Sequence, residues 1–260
     1  MHNQIKAVFF DIDGTLVSFK THTVPESALR AIARLREQGI KVFIATGRLM
    51  KHVSVVNDIE VDGYVTVNGG YCITSSGEVI FERYFPQETV LRAISLSEQY
   101  GFDLNVMTHE DMYVNCMGER VEKIASMIHI MPTVADLRSI AESQPVVQMC
   151  PYISADLERE VMPQLPDCVG SRWIETFMDL NIKGVNKSLG VEQVMRHYGF
   201  TMAQAMAFGD GGNDLSMVRD AAIGVAMGNA CEELKAAADY ITTSVDDDGV
   251  EKALKHFGLI

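Results

Sequence analysis

The stretch Phe9-Phe10-Asp11-Ile12-Asp13-Gly14-Thr15-Leu16 constrains this chain most, because an apolar run there stops at two carboxylates. Residues 7–10 are apolar without alternation, the pattern of a strand buried on both faces of a parallel sheet. Asp11 and Asp13 stand where such a strand ends, and Gly14 permits a sharp turn away. Ligands of open α/β sheets bind outside the carboxyl ends of the strands. A carboxylate pair at that place is a candidate site.

The chain that follows builds the sheet. Thr23-Val24-Pro25-Glu26 has capping-box spacing with proline in the first turn, and Leu29, Ile32 and Leu35 keep helical spacing up to Gly39. Residues 40–45 predict a second buried strand ending in Thr46-Gly47-Arg48. A helix through Val53 and Val56 and a strand at 64–67 come next. This β-α-β-α-β order implies a right-handed, doubly wound parallel sheet. After Asn68-Gly69-Gly70 the rhythm changes, and residues 71–74 and 79–82 flank a Ser-Ser-Gly turn as a hairpin.

From about residue 86 to about 181 the pattern differs. Helices are expected over 88–100, 117–130, 134–143 and 156–165, alternating with strands over 103–106, 112–115, 146–152, 169–172 and 174–180. The last two strands are close enough in sequence to pair antiparallel. The first rhythm then resumes, with a helix opened by Asn186-Lys187-Ser188 and a buried strand, 205–208, leading into Gly209-Asp210-Gly211-Gly212-Asn213-Asp214. The fold class is α/β: a doubly wound parallel sheet built from residues 1–83 and 184–260, with an inserted α+β domain over 84–183.

Composition narrows the function. Of 260 residues 47% are hydrophobic and 22% charged, the balance of a soluble globular protein with ample core. The net charge of −13 argues against a nucleic-acid partner. No stretch approaches the roughly 20 apolar residues of a membrane span, and the carboxylates come too early for a signal peptide. Five scattered cysteines, none in a Cys-x-x-Cys pair, suggest neither disulfides nor zinc. A soluble, cytoplasmic protein is expected, a monomer or weak homo-oligomer with no membrane partner.

Four stretches thus sit at strand ends or helix starts of one sheet: Asp11/Asp13, Thr46/Arg48, Lys187, and Asp210/Asn213/Asp214. Four converging carboxylates repel unless a cation holds them. Oxygen ligands without His or Cys favour Mg²⁺ over zinc or copper. Lys, Thr and Arg beside such an ion suit a phosphate, with backbone N–H groups as further donors. A carboxylate such as Asp11 could then attack phosphorus in line, and Asp13 could protonate the leaving group and deprotonate the water that follows.

Taken singly, each feature has a plainer meaning. An Asp-x-Asp pair is usually a turn or helix cap, Thr46 an N-cap, Lys187 an exposed first-turn lysine and Gly211-Gly212 a turn. His109-Glu110-Asp111 reads as a solvated loop and Asp246-Asp247-Asp248 as a solvated turn. Arg172 and Trp173 lie between two strands of the inserted domain, where they could pack or reach a ligand.

Together, the stretches resemble the motifs of the haloacid dehalogenase-like superfamily. Asp11-Ile12-Asp13-Gly14-Thr15 is similar to the first, Ala45-Thr46-Gly47-Arg48 to the second in its Cof-like form, Lys183-Gly184-Val185-Asn186-Lys187 to the third and Gly209-Asp210-Gly211-Gly212-Asn213-Asp214 to the fourth. The insertion resembles a subclass IIB cap. The resemblance implies a Mg²⁺-dependent phosphatase of small phosphomonoesters, sugar phosphates above all, acting through an aspartyl-phosphate. It makes Asp11 the nucleophile, Asp13 the acid/base, and Asp11, Asp13 (through its carbonyl) and Asp210 the metal ligands. Thr46, Gly47, Arg48, Lys187 and Asn213 would bind phosphate or substrate, and Asp214 would orient Lys187 or metal-bound water. Asn186 and Ser188 stand where many members carry an acid and a glycine. A mobile cap, hinged near 82–86 and 181–184, would set specificity. A sugar phosphomutase and a receiver-like phosphorylation switch are the alternatives.

Overall fold

The computed structural model describes residues 5–128 and 130–260 of the chain. Two compact units emerge, one made by the chain up to Glu82 together with Asn186–Ile260, the other by Arg83–Val185.

The first unit begins with β1 (Ala7–Phe10), α1 (Glu26–Glu37), β2 (Lys41–Ala45) and β3 (Gly63–Thr66), followed by the hairpin β4 (Tyr71–Thr74) and β5 (Val79–Glu82). Two details differ from expectation. Thr23 and Glu26 form no capping box: Pro25 takes the N-cap position in extended backbone, and the Thr23 hydroxyl donates to Thr21 Oγ1. The segment through Val53 and Val56 makes two short 3-10 turns, Met50–His52 and Ser54–Val56, instead of an α-helix. Its run of β-branched residues has low helix propensity.

The chain then enters the second unit. There β6 (Leu104–Met107), β7 (Met112–Val114), β8 (Thr133–Val134), β9 (Gln148–Pro151), β10 (Cys168–Ile174) and β11 (Phe177–Ile182) form a sheet in the order β10-β11-β9-β6-β7-β8. The helices are α2 (Gln87–Tyr100), α3 (Glu119–Ile128), α4 (Leu137–Ser143) and α5 (Ala155–Val161). β10 and β11 pair antiparallel, as their proximity suggested. The helix expected from residue 134 starts at Leu137, because Thr133–Val134 extends as a strand and Asp136 caps α4 by accepting from Arg138 N. Leu104, Val106, Met149, Met178 and Leu180 share the unit's apolar core. By alternation Asn105, Gln148, Cys150, Asp179 and Asn181 take the other face, where they too are buried. Arg172 pairs with Glu158 at 2.7 Å and donates to the Ile153 carbonyl, so it staples β10 to α5. The Trp173 side chain lies outside the described residues. His109 meets Tyr84 Oη at 3.1 Å instead of standing free in a solvated loop.

Back in the first unit, α6 (Lys187–His197), β12 (Ala205–Gly209), α7 (Leu215–Asp220), β13 (Ile223–Ala226), α8 (Glu232–Ala237), β14 (Tyr240–Ile241) and α9 (Gly249–His256) finish the chain. The sheet order is β14-β13-β12-β1-β2-β3-β4-β5. All pairs from β14 to β3 are parallel, and the hairpin adds two antiparallel strands at one edge. β1 therefore lies where the winding reverses, with β2 on one side and β12 on the other.

Both faces of β1 are sealed. Val8 and Phe10 join the core beneath α1 and α9, while Ala7 and Phe9 join the one beneath α6 and α7. Phe10 stacks on Phe208 at 4.8 Å and Phe9 on Phe43 at 4.9 Å. Each such ring contributes roughly 1.5–3 kcal/mol by leaving water. Asp246 is not merely solvated: it accepts from Ser18 Oγ at 2.6 Å and pairs with Lys20. Among the described residues no helix is long and apolar enough to cross a membrane.

Candidate active site

The sheet's apolar strands end together, and each hands over to a polar loop. Asp11 follows β1, Thr46 follows β2 and Asp210 follows β12, while Lys187 opens α6. Asn186 starts that helix by accepting from Leu189 N at 2.9 Å. Lys187 is not the exposed first-turn lysine of the plainer reading, for its side chain is fully buried. A buried ammonium requires partners, and it has two: Nζ donates to Asp11 Oδ1 at 2.6 Å and to Asp214 Oδ1 at 2.5 Å.

Asp214 is saturated by this arrangement. Its Oδ2 accepts from the backbone N–H groups of Asp210 and Gly211, both at 2.9 Å. Gly209 is needed beneath it, since a Cβ there would lie 2.4 Å from Asp214 Cβ. Asp210 is held by Thr15 Oγ1 at 3.5 Å and by Asn229 Nδ2, which donates to its Oδ2 at 3.3 Å and to the Gly14 carbonyl at 2.8 Å. Gly14 has φ +84°, and a Cβ on it would fall 2.1 Å from Asp210 Oδ2. Only glycine suits that turn.

Charge decides what this group can hold. One oxygen from each of Asp11, Asp210 and Asp214 lies within 4.8 Å of the others. Burial first, then its carboxylate neighbours, pushes the Asp11 carboxyl up, and the same causes raise Asp210. Burial alone would lower the Lys187 ammonium, but Asp11 and Asp214 outweigh it and hold it above its ordinary value. Fully ionised, Asp11, Asp13, Asp210 and Asp214 would carry four negative charges against two positive ones from Lys187 and Arg48. The deficit of two, met by hard oxygen donors without nitrogen or sulfur, fits a divalent cation. Asp214 Oδ2 takes two short backbone bonds and its Oδ1 the Lys187 ammonium, whereas Asp210 is held only at 3.5 and 3.3 Å and Asp11 by Lys187 through Oδ1.

The other expected residues are placed as follows. Asp13 accepts from Arg48 Nε at 2.8 Å and Nη2 at 2.7 Å, so these two face each other. The Asp13 carboxylate is not one of the three gathered around Lys187. Thr46 is buried, and its Oγ1 accepts from Arg48 N at 3.1 Å, closing the loop around Gly47. Asn213 donates to Asn68 Oδ1 at 3.0 Å. Asn68 and Asn229 were not singled out in the sequence. Both share the signal that marks Asp11, Thr46 and Asp210, a polar residue within three positions of a parallel strand's end. In the sequence Asn68 marks only the place where the rhythm changes.

A family model of haloacid dehalogenase-like hydrolases matches residues 8–254. The putative phosphatase YkrA of Bacillus subtilis (strain 168) is 31% identical over 258 residues, 98% of each chain. The 5-amino-6-(5-phospho-D-ribitylamino)uracil phosphatase YitU of the same organism is 29% identical, with 96% of each chain covered. Among solved structures, the subclass IIB sugar phosphatase BT4131 superposes with a TM-score of 0.89 at 41% identity, covering 98% of this chain and all of that one. With a catalytic sheet of this order and these strand-end residues, the chain belongs to the haloacid dehalogenase-like hydrolases. It is a phosphatase of their Cof-like subclass IIB.

Proposed function

We propose that this phosphatase hydrolyses the monoesters of small polyhydroxylated compounds, sugar phosphates above all, with Mg²⁺ as its cation. The observation that carries the reading is the buried Asp11–Lys187–Asp214 chain beside Asp210, at the point where the sheet's winding reverses. Asp11, Asp210 and the Asp13 carbonyl would hold the ion, which when bound supplies positive charge against the phosphoryl oxygens. Lys187, Thr46, Gly47, Arg48 and Asn213 bind those oxygens.

In the first half-reaction an Asp11 carboxylate oxygen forms a bond to phosphorus while the bond to the leaving oxygen breaks. Asp13 gives that oxygen its proton. In the second, water attacks phosphorus, Asp13 takes the water's proton, and the Asp11–phosphorus bond breaks to release inorganic phosphate. Lys187 keeps Asp11 oriented throughout.

Selectivity for the leaving group is assigned to the second unit. Asn105, Gln148, Asp179 and Asn181 put donors and acceptors on one sheet face, the chemistry that reads hydroxyl groups. Gln148 Oε1 is buried with no hydrogen-bond partner among the described residues. Such an atom costs about 1–3 kcal/mol unless something pairs with it. The two relatives named for a phosphorylated ribityl compound and for sugar phosphates agree with a polyol.

Phosphate release should be screened with Mg²⁺ across sugar phosphates, polyol phosphates, nucleotides and small carboxylic-acid phosphates. The highest kcat/KM is expected among the first two, with one phosphate freed per substrate lost. Preference for nucleotides would refute the polyol reading, and substrate loss without free phosphate would indicate a mutase.

A further inference from the structure

One segment outside the stretches discussed so far touches three of their loops. It is the turn Val67-Asn68-Gly69 at the carboxyl end of β3. Val67 and Asn68 both adopt left-handed backbone, with φ of +52° and +51°, uncommon for asparagine and an outlier for a β-branched residue. All three residues are buried. The conformation is held from several sides. Val67 N donates to the Arg48 carbonyl and Asn68 N to the Thr46 carbonyl, each at 3.1 Å. The Asn68 amide lies against Gly47, where a Cβ would meet Oδ1 at 3.1 Å, and that same Oδ1 accepts from Asn213 Nδ2 at 3.0 Å. Gly69, at φ +93°, packs on the Asn186 backbone so closely that a Cβ would fall 2.0 Å from its carbonyl oxygen.

We infer that Asn68 is a positioning residue, whose backbone fixes the Thr46–Arg48 loop and whose side chain fixes Asn213. Strained backbone persists only where its surroundings over-determine it. Here those surroundings are the loops that carry Thr46, Lys187 and Asn213. Thr46 follows β2 and Asn213 follows β12, on opposite sides of β1. A single amide, seated on Gly47 and bonded to Asn213, sets the two against each other before any phosphate arrives. Preset donors cost nothing to arrange when the anion binds. The inference rests on Thr46 and Asn213 being phosphate-binding residues, as proposed above.

The test is a double-mutant cycle read by inorganic phosphate as an inhibitor of p-nitrophenyl phosphate hydrolysis, with Tm and the KM and kcat of each variant. Glycine accepts left-handed backbone, so Asn68→Gly removes the amide and leaves the turn possible. Asn68→Gly and Asn213→Ala should each weaken phosphate inhibition about tenfold, the size of one lost hydrogen bond. KM should change more than kcat. The double variant should be no more than about twofold worse than either, because both changes break one contact. Asn68→Asp keeps the turn and the acceptor oxygen, so Asn213→Ala should retain its full effect there. Unchanged inhibition in Asn68→Gly, or effects that multiply in the double variant, would overturn the inference. If Asn68→Gly does not fold, loss of the Asn213→Ala effect in the Asn68→Asp background overturns it. A wild-type enzyme that phosphate inhibits, but in which Asn213→Ala has no effect, would remove the phosphate-binding reading beneath it.

Discussion

Arg48 grips both oxygens of the Asp13 carboxylate, Nε at 2.8 Å and Nη2 at 2.7 Å, while Nη1 donates to the His52 carbonyl at 3.0 Å. A planar fork anchored at both ends sets the plane of the group it holds. Arg48→Lys keeps the charge and loses the fork. It should therefore lower kcat roughly 10–100-fold with Tm nearly unchanged, as expected when the acid/base carboxyl loses its orientation and the phosphoryl group loses a forked donor. Steady-state kinetics of the lysine variant at wild-type rate would show that orientation by the fork is dispensable.

Asp11 is the proposed nucleophile, and Lys187 Nζ donates to its Oδ1 at 2.6 Å. Asp11→Asn should reduce turnover by at least about 10³-fold while the folded structure persists. Asp13→Asn should slow both half-reactions, so that rapid-quench experiments show neither a fast burst nor fast hydrolysis. Hydrolysis by Asp11→Asn near the wild-type rate would refute the nucleophile assignment.

Lys187 neutralises two buried carboxylates, and its removal strands both. Lys187→Ala should destabilise the cation-free protein by about 3–5 kcal/mol, the cost of leaving buried charge unpaired. Denaturant unfolding measures this directly, and a loss below about 1 kcal/mol would contradict the burial argument. Added Mg²⁺ should restore part of the loss, since the ion neutralises Asp11.

The raised carboxyls of Asp11 and Asp210 give stability a pH dependence of known sign. Both hold protons in the folded state above 3.8, the ordinary value at which an unfolded chain releases them. Their contribution is complete below that value and is lost as pH rises through their elevated folded values. Burial and the neighbouring carboxylates push Asp11 up to about 7 and Asp210 up to about 9, so the cation-free protein should lose stability from about pH 4 to about pH 9 through this pair. Bound cation replaces those protons, so the Tm increment produced by Mg²⁺ should grow over the same range. Equal increments at both ends, read by thermal melts, would exclude Asp11 and Asp210 as the ligands.

Much of this arrangement was legible in the residues. An apolar run without alternation that ends in Asp11, Thr46 or Asp210 signals a parallel strand delivering a polar group to one edge, and the sheet has that form. Lys187 was harder to read, because a lysine in a first helical turn is ordinarily solvated. Only the tertiary fold, which brings Asp11 and Asp214 to its ammonium, makes burial tolerable. The Arg48–Asp13 pair and the Asn229–Asp210 contact span separations that no local pattern encodes. Short-range rules failed for local reasons too: Pro25 displaced the expected cap of α1, and β-branched residues tightened 53–56 into 3-10 turns.

β1 pairs on one side with β12, so Ala7 faces Ala205 and Phe10 faces Phe208. The strand that delivers Asp11 therefore cannot acquire its second neighbour until some two hundred further residues have left the ribosome. The second unit, contiguous in the chain, has its apolar core complete well before then. Order of synthesis thus separates the two halves of the protein in time. The catalytic sheet closes late, slowed by the loop-closure entropy of its longest-range pairing. Until it does, the Phe10 ring awaits Phe208, a window in which a chaperone or a neighbouring nascent chain can reach it.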